Sequence, residues 1–203
     1  MVTGIKAVIW DMGGVIFRTE DETSKAALAE KYGLTLEELY RLVFASDSAN
    51  LATLGLVNEA QHWQTIGARF NIDGNELDSF QEKFWDGDIV DRELIAFIGS
   101  LKEKYITGLL SNAWSGARSV LTDHYRCMDV FTYSAFSCEL GLAKPDPAIY
   151  IKFLELLNVQ PPEAIFVDDL QKNIDAANAL GIHGIRFRDP RQAKQDVLAL
   201  LTQ

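Results

Sequence analysis

Val8-Ile9-Trp10-Asp11-Met12-Gly13-Gly14-Val15-Ile16 sets an aspartate directly after a short apolar run. The run Ala7–Trp10 is the first of several short, β-branched stretches, followed by Ile106–Leu110, Tyr133–Phe136, Ile165–Val167 and Gly184–Phe187. Between them, Asp91–Lys104, Gly116–His124, Pro147–Leu157 and Gln171–Leu180 carry apolar residues at three- and four-residue intervals, the pattern of helices that lay one face on a sheet. Strands alternating with helices predict an α/β fold, a doubly wound parallel sheet covered on both faces. Pro147 suits a first helical turn, and Gly181 suits a helix end with the next strand following at once.

From about Phe17 to Asp88 the alternation stops and the pattern is helical. Helices are expected over Glu22–Tyr32, Leu36–Phe44, Asn58–Phe70 and Asn75–Phe84, with breaks at Gly33, around Asp47–Gly55 and at Asn71–Gly74. Thr35 and Glu38 fit a capping box. Tyr40, Phe44, Trp63, Phe70, Phe80, Phe84 and Trp85 are expected to share the interior of this insert, and hinge strands are expected near Phe17–Thr19 and Trp85–Asp88.

The chain has 203 residues, enough for one well-buried core and an insert but not for two average domains. With 48% apolar and 24% charged residues it has the composition of a globular protein, and a formal charge of −10 argues against unselective nucleic-acid binding. Cys127 and Cys138 lack metal-ligand spacing and are too few for a disulfide framework, so they read as reduced thiols of a cytosolic, cytoplasmic protein. Met1 to Trp10 lacks the long apolar region of a signal peptide, and no run approaches the ~20 apolar residues of a membrane span. Nucleic acid and membrane are therefore not expected partners, and the chain is expected to be a monomer or homodimer.

In an open α/β sheet, ligands gather at the carboxyl ends of the strands. There the first run ends in Asp11, the second in Ser111-Asn112 and the fourth in Asp168-Asp169, while Lys144 follows the third after a short loop. Singly, such an aspartate is as well a turn cap, and such a lysine a solvated surface group. Together they make a set suited to phosphate chemistry: carboxylates for a hard cation, a hydroxyl, an ammonium and a carboxylate able to attack.

Four segments in order carry a family resemblance: Val8 to Ile16, then Leu109-Leu110-Ser111-Asn112, Lys144-Pro145-Asp146, and Phe166-Val167-Asp168-Asp169 with Asn173 beyond. The chain resembles the haloacid dehalogenase superfamily over essentially its full length, and the insert resembles the helical cap of its phosphoglycolate-phosphatase-like branch. The resemblance implies a Rossmann-like core of residues 1–18 and 87–203 with a cap over residues 19–86. It implies Asp11 as a nucleophile forming an aspartyl phosphate, and Mg²⁺ held by Asp11, the Gly13 carbonyl, Asp169 and Asp168. Ser111 would then bond a phosphoryl oxygen, Lys144 would offset negative charge, and Asn112 and Asn173 would bind substrate or tie loops together.

Most phosphatases of that superfamily carry a second Asp two residues after the nucleophile, as the general acid; here the position is Gly13. The start Asp-x-Gly-Gly looks like the Asp-x-Gly-Asn of sugar 1-phosphate phosphatases, whose leaving oxygen needs little protonation. The alternatives are a metal-independent 2-haloacid dehalogenase and a catalytically weak relative that binds a phosphorylated ligand or a partner. Ala52-Thr53-Leu54-Gly55-Leu56-Val57, where sugar-phosphate relatives often carry charge, implies a less polar pocket. Glu20, Asp21 and Glu22 read as first-turn charges of a helix, and His62 as a packed residue or a ligand contact.

Overall fold

The computed structural model describes residues 4–202; residues 1–3 and 203, which the expected core segments include, lie outside the described residues. In chain order the strands are β1 (Ala7–Trp10), β2 (Phe17–Thr19), β3 (Asp88–Val90), β4 (Ile106–Ser111), β5 (Tyr133–Phe136), β6 (Ala164–Asp168) and β7 (His183–Arg186). Between β2 and β3 stand α1 (Thr23–Lys31), α2 (Leu36–Ala45), α3 (Asp47–Thr53), α4 (Glu59–Phe70) and α5 (Gly74–Trp85). After β3 come α6 (Arg92–Leu101), α7 (Ala117–Ser119, running into a π turn), α8 (Ser137–Leu140), α9 (Pro147–Leu157), α10 (Gln171–Ala179) and α11 (Pro190–Leu201).

β1 is the centre of a parallel five-stranded sheet of order β5-β4-β1-β6-β7. Its four side chains are all buried, which is why the run is continuously apolar rather than alternating. Ala7 and Ile9 pack with Phe153, Leu157 and Ile174 on one face of the sheet. Val8 and Trp10 pack with Leu94, Ile98 and Val197 on the other. The expected doubly wound α/β architecture is the one observed. The sheet register aligns Ala7 with both Ile106 and Ala164, so the three central strands start level and their carboxyl ends fall within two residues of one another. Ser111 and Asp168 are the last residues of their strands, which run one residue past the apolar runs Ile106–Leu110 and Ile165–Val167.

The five helices of the insert enclose their own apolar core around Leu39, Val43, Trp63, Ile66, Phe80 and Phe84. The capping box of α2 is present: the Glu38 amide donates to Thr35 Oγ1 (3.2 Å) and the Thr35 amide to Glu38 Oε2 (2.8 Å). The expected break over Asp47–Gly55 is instead mostly the helix α3, whose polar sequence conceals two buried alanines, Ala49 and Ala52, and a Ser46 cap on the Ala49 amide. Phe44 also departs from expectation, with 48% of its surface exposed.

β2 and β3 pair antiparallel where the chain passes between sheet and insert. The second of these strands begins at Asp88 rather than Trp85, because Trp85 closes α5. A buried ion pair stiffens the crossing: Lys25 Nζ lies 2.6 Å from Asp88 Oδ1 and also donates to the Asp86 carbonyl. No helix among the described residues is long and apolar enough to cross a membrane.

Candidate active site

The neighbouring carboxyl ends of β1, β4 and β6 bring Asp11, Ser111 and Asp168 to one edge of the sheet, and the loop before α9 carries Lys144 to the same place. Lys144 Nζ lies 2.7 Å from Asp11 Oδ1 and 2.7 Å from Asp168 Oδ2, with its side chain 1% exposed. Asp11, Asp168 and Asp169 each offer a carboxylate oxygen, all within 4.8 Å of one another. Three carboxylates thus share one buried ammonium.

That imbalance sets the electrostatics. Burial pushes the Asp11 carboxyl up to about 7; Lys144 opposes this and the neighbouring Asp168 adds to it. Asp169 is also raised, by burial first and by Asp168 second. Carboxylates held this close without matching positive charge are the donor set a hard divalent cation takes, so Mg²⁺ fits both the oxygen-only chemistry and the surplus charge.

The two asparagines meet neighbouring protein groups. Asn112 Nδ2 donates to the Lys144 carbonyl and its Oδ1 accepts from the Lys144 amide, both at 2.8 Å, which clamps the lysine backbone. Asn173 Nδ2 donates to both oxygens of Asp168 at 2.9 and 3.0 Å, and Tyr150 Oη donates to the Asn173 carbonyl. Ser111 Oγ makes only a long contact, 3.4 Å, to the Asn112 carbonyl, and its hydroxyl is otherwise unspent.

The adjacent glycines do different things. Gly14 has φ +74°, and a Cβ there would lie 2.5 Å from Asp169 Oδ2, so only glycine lets the loop after β1 meet the loop after β6. Gly13 is exposed, and a Cβ there would meet nothing within 4 Å. Gly14→Ala is therefore expected to displace the Asp169 carboxylate, lowering stability by about 1–3 kcal/mol and weakening divalent-cation affinity by about tenfold. A cation titration followed by thermal denaturation checks this, and unchanged affinity would refute it.

Sequence reasoning missed the seam between insert and sheet. Glu59 Oε2 accepts from the Gly116 amide at 3.0 Å, Ser115 Oγ accepts from the Glu59 amide at 3.1 Å, and the Trp114 indole donates to Thr53 Oγ1 at 3.3 Å. Gly55 lies so close to the Cys138 carbonyl that no side chain fits there. The one available signal was Trp114 itself, an aromatic residue just beyond Ser111-Asn112. His62 is buried at this seam, its ring 4.5 Å from that of Trp114 and its Nδ1 2.8 Å from Ser48 Oγ. Glu20 and Glu22 stand on the exposed stretch before α1.

A family model for haloacid dehalogenase-like hydrolases matches residues 5–181. The phosphorylated carbohydrates phosphatase of Thermotoga maritima is 29% identical over 189 residues, covering 89% of this chain and 84% of that protein. The sesquiterpene phosphatase astK of Aspergillus oryzae is 23% identical over 190 residues, covering 93% of each. Other similar proteins are much longer: the chain spans 6, 20 and 38% of three of them. A Bacteroides thetaiotaomicron enzyme of the same family, bt-2542, solved with magnesium and inorganic phosphate, shares the fold with a TM-score of 0.77 at 23% identity, over 91% of this chain and 95% of that one.

Proposed function

Because the chain belongs to the haloacid dehalogenase-like hydrolases, we propose that it is a Mg²⁺-dependent phosphatase that hydrolyses a small phosphorylated metabolite through an aspartyl phosphate on Asp11. The observation that carries this reading is the trio Asp11, Asp168 and Asp169 around a single buried ammonium. A dehalogenase that works without metal has no use for the surplus negative charge.

Asp11, Asp168, Asp169 and the Gly13 carbonyl would hold Mg²⁺, which supplies positive charge against the phosphoryl oxygens and aligns them for in-line displacement. Lys144 pulls the buried Asp11 carboxyl toward its ionised form, the form that attacks. The free Asp11 oxygen forms a bond to phosphorus, the bond to the leaving oxygen breaks with its electron pair, and Ser111 donates to a phosphoryl oxygen as it swings in-line. Water then attacks the same phosphorus, the bond to the Asp11 oxygen breaks with its electron pair to return the carboxylate, and inorganic phosphate leaves as the surplus proton passes to solvent. Asn112 and Asn173 act at one remove, as positioning residues for Lys144 and Asp168. Helices α1–α5 serve as the cap that excludes bulk water.

Gly13 sets the leaving group. General acid catalysis supplies about 10²–10⁴-fold, and at this position the chain has no side chain to donate a proton. The preferred substrates are then esters whose leaving oxygen needs little protonation, sugar 1-phosphates among them. The relatives' names leave polarity open, since one refers to carbohydrates and the other to a sesquiterpene.

Phosphate release from a metabolite panel, with and without Mg²⁺ and beside Asp11→Asn, tests the reading; release that needs neither the metal nor Asp11 would end it. Gly13→Asp has open space for its side chain and is expected to raise kcat/KM on alkyl phosphates by about 10–10³-fold. The dependence of rate on leaving-group pKa should flatten with it. An unchanged slope in a folded variant would mean that another group already delivers the proton.

A further inference from the structure

Resting on the phosphatase reading, we infer that the leaving group is a phenol-type alcohol, so that the substrate is an aryl phosphate. Two site loops each present an aromatic ring to the cap. Phe17 is tied to the loop after Asp11, its amide donating to the Met12 carbonyl at 2.8 Å and its carbonyl accepting from the Gly14 amide at 2.9 Å. Trp114 follows Ser111-Asn112. Trp85, at the end of α5, touches both, with ring centroids 6.1 Å from Phe17 and 6.4 Å from Trp114. Phe44 from α2 stacks on Trp114 at 5.7 Å with planes 28° apart, and leaves about half of its surface, 48%, open. A flat ring can add to such an array by stacking or edge contact.

Several polar side chains bordering this array are already engaged, while His62 Nε2 beside Trp114 is buried without a partner among the described residues. Lys25 bonds Asp88, Thr53 takes the Trp114 indole, both ends of the Asn112 amide hold Lys144, and Glu59 holds the Gly116 amide. A polyol brought against these groups would lose water without gaining partners, a cost an aryl group does not carry.

Leaving-group chemistry points the same way. A phenolic oxygen ionises near ~10, whereas an ordinary hydroxyl does so near ~16, as water does. As Asp11 bonds to phosphorus, a phenolate departs with the electron pair and takes its proton from water afterwards, so the absence of an acid at residue 13 costs least for this class.

The test is binding of phosphonates that cannot turn over, read from tryptophan fluorescence in the presence of Mg²⁺, for wild type and Phe44→Ala. Benzylphosphonate is the isostere of phenyl phosphate. It is expected to bind about tenfold or more tightly than methylphosphonate, and Phe44→Ala should reduce that preference to about threefold or less while affinity for inorganic phosphate stays as in wild type. Equal affinity for the two phosphonates overturns the aryl assignment and leaves the phosphatase reading standing, provided inorganic phosphate still binds. Tighter binding of octylphosphonate or of a glucose 1-phosphonate also overturns it, in favour of a hydrocarbon or sugar. Failure to bind inorganic phosphate at all, together with silence in the release assay, overturns both.

Discussion

Asp11→Asn is expected to reduce phosphate release by at least ~10⁴-fold and, without metal, to make the protein harder to unfold above neutral pH. The first half follows from the proposed role of Asp11 as nucleophile. The second follows from burial, which raises the Asp11 carboxyl from 3.8 to about 7. Between those two pH values the folded protein keeps a proton that the unfolded chain has released, so stability falls as pH rises and the penalty is complete above pH 7. Three pKa units correspond to about 4 kcal/mol at most. Asparagine forfeits the attraction of Lys144, so a net gain of about 1–3 kcal/mol is expected at pH 8. Denaturation in a chelator at pH 8 and pH 4 checks the sign: the variant should be the more stable at pH 8, and the advantage should vanish at pH 4. Wild-type turnover in the variant would remove Asp11 as nucleophile. Equal stability at pH 8 would remove the strained-carboxylate account.

Lys144→Met should do the opposite to stability. Methionine reproduces the stem but leaves Asp11, Asp168 and Asp169 with no cation among them, and breaking a buried pair in this way costs about 3–5 kcal/mol. In a chain of 203 residues that is a fall in Tm of about 10 °C. Lys144 holds the Asp11 pKa down, so its loss raises that pKa further. The deficit should therefore be largest at pH 8 and shrink as acid protonates the carboxylates. Mg²⁺ should restore part of the stability by replacing the missing charge, while turnover stays down by about 10³-fold because the attacking oxygen is no longer held ionised and aligned. A variant that unfolds no more readily than wild type at pH 8 in chelator would refute the ledger of charges on which the site is read.

Much of this site was legible before the structure because each group sits where an apolar run stops. Asp11, Ser111 and the Asp168-Asp169 pair follow from strand pattern and the carboxyl-end rule alone, and Lys144 from the loop that returns to the same edge. Contacts between segments far apart in sequence were not legible. Nothing local distinguishes Gly13 from Gly14, yet one faces open space and the other faces the Asp169 carboxylate. Helix α3 hides in a polar stretch because only Ala49 and Ala52 are buried there, and alanine carries little periodic signal. The grip of Glu59 on Gly116 joins an ordinary helix-start glutamate to an ordinary glycine, and neither residue type announces it.

The central place of β1 also shapes how the molecule comes to exist. Made first, this strand sits between two partners, and its neighbours start only at Ile106 and Ala164. A chain growing from its amino end carries Ala7–Trp10 with one edge open until Ile106 and the other until Ala164 has been made, and long-range parallel pairing of this kind is slow and prone to aggregate. The helical insert, built from contacts near in sequence, can assemble meanwhile and offer Trp63 and Phe84 a local interior. Asp11 thus emerges long before Lys144, Asp168 and Asp169, and a chain that lacks them has not yet gathered the carboxylates around their one ammonium.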